Sequence, residues 1–85
     1  MIIRFLPSFN RAYRKLTKQQ RDGIDTALEL FVQFPFDPRL HNHKLRGDKS
    51  GVRSIAAGFD LRILYIEEGT TIALLLTAGT HDEVY

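Results

Sequence analysis

Two apolar segments joined by a short glycine-containing turn constrain the fold more than any other feature of this sequence. They run from Leu61 to Glu67 and from Thr71 to Ala78, with Glu68-Gly69-Thr70 between them. The glycine of this turn stands where a tight hairpin requires a positive φ, so the two segments are predicted to pair as antiparallel strands. The second segment is almost wholly apolar. We therefore expect it to be buried and to deliver the two ring-bearing side chains that follow, His81 and Tyr85, to one edge of the sheet.

The first half of the chain shows helical spacing. After a short apolar strand from Met1 to Leu6, Ser8 is a predicted N-cap, and Thr17 and Gln20 have the spacing of a capping box that opens a second helix. This second helix is expected to end near Phe34, before a proline. The residues predicted to face the core from the two helices are Phe9, Ala12, Tyr13, Leu16, Ile24, Ala27, Leu28 and Phe31.

The remaining segments complete an α+β fold with the order β-α-α-β-β-β. Residues Pro35 to Asn42 are expected to be irregular, and Leu45 and the segment from Val52 to Ala56 are predicted strands. The whole chain, residues 1–85, is then one domain in which a helical hairpin packs on one face of a small twisted antiparallel sheet. The other face is expected to be left open, where basic residues can meet a ligand.

Length and composition limit the class of protein. A chain of 85 residues forms one small core, so a large cleft that encloses a substrate is not expected. The absence of cysteine excludes a disulfide scaffold and fits a reducing cytoplasm. No apolar run approaches the roughly 20 residues that cross a bilayer, and the N-terminus lacks a signal-peptide layout. We expect a complete cytoplasmic protein without a membrane partner.

Charge is distributed unevenly, although the net charge is only +2. No acid precedes Asp22, and no lysine or arginine follows Arg62. The basic residues form two blocks: Arg4, Arg11, Arg14, Lys15, Lys18 and Arg21 in the first, and Arg39, Lys44, Arg46, Lys49, Arg53 and Arg62 in the second. Such clustering suits a polyanion whose phosphates release counterions on contact. The first block is explained equally well as the solvated face of two helices.

Four motifs in the second half carry a family resemblance. They are His43-Lys44-Leu45-Arg46-Gly47, Arg53-Ser54-Ile55, Asp60-Leu61-Arg62-Ile63-Leu64-Tyr65 and Gly79-Thr80-His81-Asp82-Glu83-Val84-Tyr85. In these motifs and in its element order the chain resembles the RelE/ParE superfamily of bacterial toxins, and within it the YafQ-like messenger-RNA interferases. The resemblance covers essentially the whole chain. It implies an endoribonuclease that cuts messenger RNA, typically in the ribosomal A site, and that a cognate antitoxin inactivates in a complex with two copies of each protein.

RNA cleavage without a metal or cofactor requires the 2′-hydroxyl to attack its own phosphate in line. One group must remove a proton, another must protonate the leaving 5′-oxygen, and the crowded phosphorane must be neutralised. Histidine suits both proton transfers because its unperturbed pKa is about 6.5. The resemblance assigns these roles to His43 and His81, and the choice of acid and base between them stays open.

Arg62 is the predicted stabiliser of the transition state, because its planar fork fits two non-bridging phosphate oxygens. The alternative is a structural ion pair with Asp60, two residues away on the same strand face. The resemblance gives Asp60 a further catalytic role, either orienting a histidine or taking a proton. Tyr85 is expected to stack on a base or to hydrogen-bond a phosphate, and its alternative is a frayed terminal residue.

Lys44 and Arg46 alternate with Leu45, so both are predicted to clamp the RNA backbone from one face while Leu45 enters the core. Arg53 is predicted to join them, unless it forms a surface salt bridge. His41 is interpreted as an exposed loop histidine. The spacing of the histidines and acids matches no tight ligand pattern, so no metal site is predicted.

Ala56 marks a departure from the YafQ-like pattern, which can carry a further histidine at this position. Either His43, His81 and Arg62 suffice, or activity is reduced or lost. Two other functions share the fold: a ParE-like inhibitor that binds DNA gyrase without chemistry, and an RNA-binding or ribosome-binding relative without turnover. The imidazoles favour the nuclease, because a gyrase binder has no need of one at the sheet edge.

Overall fold

The computed structural model describes residues 1–49, 51–58 and 60–85. Ser50, between the predicted strands at Leu45 and Val52, and Phe59, between those at Ala56 and Leu61, lie outside the described residues. The strands are β1 (Ile2–Phe5), β2 (His43–Lys44), β3 (Val52–Ala56), β4 (Leu61–Glu68) and β5 (Ile72–Thr80). The helices are α1 (Pro7–Arg14), α2 (Lys18–Gln33) and α3 (His81–Val84), with short 3-10 turns at Pro38–Leu40 and Gly47–Lys49. The predicted α+β class is confirmed.

The two long helices begin where the local chemistry allows a helix to start. The hydroxyl of Thr17 accepts the N–H of Gln20 at 3.1 Å and the Gln20 side chain accepts the N–H of Thr17 at 2.9 Å, which confirms the capping box of α2. The predicted N-cap at Ser8 is wrong. The N-cap is Leu6 and helix α1 begins at Pro7, two residues earlier than predicted, because the fixed φ of proline suits the first helical position. Ser8 instead donates its hydroxyl to the carbonyl of Leu76 in β5.

The strands form one sheet in the order β1-β5-β4-β3-β2. Strands β2 to β5 pair antiparallel, and Gly69 turns between β4 and β5 with the predicted positive φ, at 66°. Strand β1 departs from the expected antiparallel sheet, because it pairs in parallel with β5 and Ile2 donates its N–H to the Thr71 carbonyl at 2.7 Å. The helices then carry the chain to β2 at the opposite edge. A parallel neighbour so far away along the chain leaves no local signal in the sequence.

The main core lies between the helical hairpin and one side of the sheet. Phe31 of α2 and Tyr65 of β4 are fully buried, with ring centroids 4.9 Å apart. The residues predicted to face inward from the helices are buried, except that Ala12 and Tyr13 are only partly buried. The predicted core position of Leu45 is wrong. It is partly buried and lies outside the core cluster, because the register of β2 on β3 gives the helix-facing position to Lys44, and the next residue faces the other side of the sheet.

A β-bulge in β5 keeps this apolar strand in register with the core. Leu64 of β4 pairs with Thr77 and Tyr65 pairs with Leu75, so Leu76 lies between them without a partner in β4. Core-facing positions on the two sides of the bulge are therefore an odd number of residues apart. Because this strand shows no alternation of apolar and polar residues, the bulge was not predictable from it.

We call the side of the sheet away from α1 and α2 the open face. Its residues alternate with core residues along each strand, so Ser54 and Ala56 of β3 share it with Arg62 of β4. This face was expected to be uncovered, and the structure corrects that expectation. Helix α3 folds back over the end of β5, where Val84 is buried beside Gly79.

Candidate active site on the open face

A tight turn after β5 places α3 and Tyr85 over the open face. Gly79 permits the turn, because an added Cβ would lie 3.1 Å from Oε1 of Glu83 and 3.3 Å from Cγ1 of Val84. Thr80 is the N-cap of α3 and donates its N–H to Oε1 of Glu83 at 2.8 Å. This backbone hydrogen bond lowers the pKa of Glu83 below its ordinary value. Residues of the C-terminal motif therefore shape the turn as well as supplying candidate catalytic groups.

Tyr85 has specific contacts on the open face. Its hydroxyl makes a hydrogen bond with the hydroxyl of Ser54 on β3. Its ring packs edge-to-face on the imidazole of His81, with the centroids 4.5 Å apart. Lys49 anchors the same turn by donating its ammonium to the carbonyl of Val84 at 3.0 Å. Two of the sequence-predicted site residues are thus brought into direct contact.

His43 lies on the same face, one strand beyond Ser54, which is its register partner. The imidazole is exposed, and its Nδ1 lies 2.8 Å from the carbonyl oxygen of His41. A carbonyl only accepts hydrogen bonds, so Nδ1 carries the proton and Nε2 of the neutral ring is left as a proton acceptor. His41 is exposed, and its φ of 48°, uncommon for a residue other than glycine, accompanies this contact.

Arg62 lies between two small neighbours. Its register partners are Ala56 on β3 and Gly79 on β5, and neither has a side chain long enough to cover a guanidinium. Arg62 is partly buried and donates a hydrogen bond to the Leu61 carbonyl at 2.9 Å. Within residues 1–49, 51–58 and 60–85, the described carboxylates form no ion pair with it, so the alternative pair with Asp60 is not made. The remaining donors of the fork are available to an anion.

Asp60 is joined to the site through its backbone. Its carbonyl accepts the N–H of His81 at 3.1 Å, which ties the start of β4 to the start of α3. The residue is exposed, and its carboxylate makes no ion pair with a histidine of the described part of the chain. Its predicted role in proton transfer stays a prediction.

The predicted RNA-binding residues are not gathered with the catalytic set. Lys44 pairs with Arg53, and both are adjacent in sequence to open-face residues, so they lie on the helix side of the sheet. The Arg53 side chain is only 13% exposed, donates to Oδ1 of Asn42 at 2.9 Å and lies 3.6 Å from Oε1 of Glu67. These contacts match the salt-bridge alternative for Arg53. Arg46 is exposed beyond the end of β2.

Sequence reasoning did not include Ser54 or Lys49 among the site residues. Ser54 is fully buried in a strand whose neighbours pack into the core, and a buried hydroxyl indicates a hydrogen-bond partner. The burial of this serine was not predictable, because this face of the sheet was expected to be open. The bond from Lys49 to Val84 spans 35 residues and has no local signal.

The first basic block divides between two surroundings. Lys18 forms an exposed ion pair with Asp22 at 3.2 Å, one helical turn away, as expected for a solvated helix face. Arg11 and Lys15 line a polar cavity together with Glu83 of α3. Arg11 and Lys15 therefore lie beside α3 of the candidate site.

Among the side chains that the structure describes, no three histidine, aspartate or glutamate residues are arranged to hold a metal ion. No helix in the described part of the chain is long and apolar enough to cross a membrane.

Solved structures of bacterial toxins share this fold over nearly their whole length. YafQ from E. coli superposes with a TM-score of 0.80 at 15% sequence identity, over 98% of this chain and 96% of YafQ. A copper-bound mutant toxin from Helicobacter pylori gives 0.78 at 20% identity, over 100% and 99% of the two chains. A chain of the E. coli DinJ-YafQ toxin-antitoxin complex gives 0.77 at 16% identity, over 98% and 94%.

Sequence comparison alone finds no match, either to a family profile or to a curated protein. The structural similarity nevertheless confirms the predicted RelE-like fold and the likeness to RelE/ParE and YafQ toxins.

Proposed function

We propose that this chain is the toxin of a type II toxin-antitoxin pair and that it cuts messenger RNA on the ribosome, in the cytoplasm. The observation that carries the proposal is a row of contacts on the open face. His81 packs on Tyr85, Tyr85 bonds to Ser54, and Ser54 is the register partner of His43. Arg62 lies in the next row of the same face. Two imidazoles and a guanidinium on one surface are groups that metal-free RNA cleavage can use.

The surroundings of the two histidines support a division of the proton transfers. His43 directs its Nδ1 proton to His41, so its Nε2 takes the proton of the attacking 2′-hydroxyl as general base. His81, the other imidazole on the face, then protonates the leaving 5′-oxygen as general acid. Asp60 acts beside His81, to whose backbone it is bonded. Each proton transfer of this kind is typically worth about 10²- to 10⁴-fold in rate.

The phosphate and the bases are held by the other groups. The Arg62 fork binds two non-bridging oxygens and neutralises the phosphorane. The Tyr85 hydroxyl is already bonded to Ser54, so the ring is the part of Tyr85 that is free to stack on a base. Lys44 and Arg46 bind the RNA backbone at the edge of the sheet beyond His43.

A cognate antitoxin is the proposed protein partner, and messenger RNA and the ribosome are the proposed nucleic-acid partners. The DinJ-YafQ toxin-antitoxin complex of E. coli contains a chain of this fold, which supports the first of these. The chain has a pI of about 9.2. An acidic or amphipathic antitoxin segment would complement that charge, and two copies of each protein would form the complex.

Primer extension on messenger RNA from cells that briefly express the chain tests the proposed function. We expect new, codon-linked ends within coding regions for the wild type and none for His81→Ala or Arg62→Ala. His41→Asn is the matched control, because its side chain lies outside the row and asparagine tolerates the left-handed backbone. The control should give the wild-type ends.

Growth inhibition without new RNA ends would contradict the nuclease proposal. A gyrase supercoiling assay on the purified chain would then test the ParE-like alternative. Inhibition of gyrase that survives His81→Ala would establish that alternative.

A further inference from the structure

We infer that Ser54 is a positioning residue: its hydroxyl holds the phenol of Tyr85, and Tyr85 in turn orients the imidazole of His81. The catalytic consequence of this inference rests on the proposed nuclease function. The structural consequence does not, and it can be measured separately.

Because Ser54 is buried, its hydroxyl depends on the hydrogen bond to Tyr85. The Ser54 side chain is fully buried, with 0% exposure. A buried hydroxyl without a partner would lose its hydrogen bonds to water and gain nothing in return. Its partner is the Tyr85 hydroxyl, 31 residues away in sequence. The position of the Tyr85 ring is therefore set by β3, the strand that also pairs with His43.

The Tyr85 ring in turn orients the His81 ring. The two rings meet edge-to-face at an interplanar angle of 83°, a preferred geometry for aromatic rings. The outer side of the imidazole has much weaker restraint, because the His81 side chain is 54% exposed and its nearest charged neighbour, Asp82, is fully exposed at 3.6 Å. The Tyr85 ring is thus the contact that most limits rotation of the imidazole.

Other contacts hold the backbone of α3 independently of Ser54. Lys49 donates to the Val84 carbonyl, Glu83 caps the helix, and the Val84 side chain is buried. Removal of the Ser54 hydroxyl is therefore expected to release the Tyr85 ring while α3 remains folded. This separation makes positioning distinguishable from folding.

NMR spectra of the full chain test the positioning directly through the His81 ring protons, which the adjacent Tyr85 ring shifts. Ser54→Ala and Tyr85→Phe are each expected to reduce that shift, and the double variant no further, since each removes one half of the same hydrogen bond. Ser54→Thr retains a hydroxyl and should retain the shift. Ser8→Ala removes a different serine hydrogen bond, to the Leu76 carbonyl, and should leave the shift unchanged.

RNA cleavage provides the second measurement. Ser54→Ala is expected to lower kcat by about 10- to 100-fold, the effect of a displaced catalytic group, and to raise KM by a smaller factor because the Tyr85 ring is loosened. Substrate contacts of Arg62 remain in this variant. Ser54→Thr should restore most of kcat.

Unchanged His81 ring shifts in folded Ser54→Ala would overturn the inference, whatever the activity. An equal change in Ser8→Ala would also overturn it, because general loosening would then explain both. If Ser54→Ala does not fold, Tyr85→Phe decides the question by the same shift. If the wild-type chain cuts no RNA, the proposed function is refuted instead. The NMR measurement still tests whether Ser54 and Tyr85 position His81.

Discussion

Two arginines on neighbouring strands show how differently the two sides of this sheet are used. Arg53 of β3 faces the helices, where it is bonded to Asn42 and paired with Glu67. Its guanidinium carbon also lies 5.2 Å from the centroid of the Phe36 ring. Arg62 of β4 faces the other way, and its hydrogen bond goes to the carbonyl of the preceding residue, Leu61. The first guanidinium is held through its Nε by two polar side chains of the protein. The second keeps most of its five N–H donors for a ligand.

The difference teaches that residue type and local context do not separate a structural arginine from a binding one. Both residues stand in strands with buried apolar positions close by: Ile55 lies two residues after Arg53, and Ile63 follows Arg62 directly. What separates them is the face of the sheet on which each lies. The helix side supplies partners from the segment between α2 and β2, whereas the open face places Ala56 and Gly79 beside Arg62.

The largest expected effect is on catalysis at Arg62. Arg62→Ala should reduce the cleavage rate of purified chain on RNA by about 10²- to 10³-fold, because one preorganised donor to the phosphorane is lost. Its free energy of unfolding in urea should change by no more than about 0.5 kcal/mol. Arg39→Ala is the control, since Arg39 is an exposed arginine paired with Asp37. If Arg39→Ala lost as much activity as Arg62→Ala, the loss in Arg62→Ala would not come from the position of Arg62 on the open face.

Arg53→Ala should show the opposite pattern. We expect the free energy of unfolding to fall by about 2 kcal/mol, because Asn42 and Glu67 lose a charged donor in a mostly buried position. Urea denaturation measures the loss, and cleavage by the folded variant should stay near the wild-type rate. Unchanged stability with lost cleavage would instead support the RNA-binding role predicted for Arg53.

Tyr65→Phe is expected to reduce the unfolding free energy less than Arg53→Ala, because it removes one hydrogen bond on the helix side of the sheet. The Tyr65 hydroxyl accepts a hydrogen bond from Nδ2 of Asn42 at 2.8 Å, so its removal should cost about 1 kcal/mol near neutral pH.

Burial also raises the pKa of Tyr65 above its ordinary value of 10.0. A raised folded-state pKa contributes stability that is complete below the unfolded value and lost as the pH rises through the folded value. The difference in unfolding free energy between wild type and Tyr65→Phe should therefore narrow at alkaline pH. Tyr13→Phe is the comparison for a tyrosine bonded near the surface, to Asp25. A difference that stays constant with pH would contradict the expected titration of Tyr65.

The smallest expected effect concerns α3 on the open face. The hydrogen bond from the Thr80 N–H lowers the pKa of Glu83 below its ordinary value of 4.5. A depressed pKa contributes stability that is present above the unfolded value and lost as the pH falls through the folded value. Protection of the Tyr85 amide from exchange, measured relative to the intrinsic exchange rate at each pH, should therefore fall on acidification, because this N–H bonds to the His81 carbonyl at 3.1 Å. Glu83→Gln should remove most of this pH dependence, and a persistent dependence would assign it to another group.

Local chemistry predicted much of the fold from the sequence. The capping box at Thr17 and the positive φ at Gly69 are both decided by residues close together in the chain, and both predictions are confirmed. The start of α1 was misplaced by two residues, because Ser8 is an acceptable N-cap but Pro7 already occupies the first helical position. Leu45 was misplaced because the register of β2 on β3, which gives the helix-facing position to Lys44, has no local signal.

The candidate site was predictable only as a set of residue types. The sequence by itself determined that His43, Arg62, His81 and Tyr85 lie in or next to strands of an α+β fold, because strand and turn signals are local. The tertiary structure decided the parallel place of β1, the bulge at Leu76, the return of α3 onto the open face and the separation of Arg53 from Arg62. Each of these depends on register or on contacts between residues far apart in the chain. Such contacts form only when the apolar sides of the elements pack together, and no local pattern of residues encodes them.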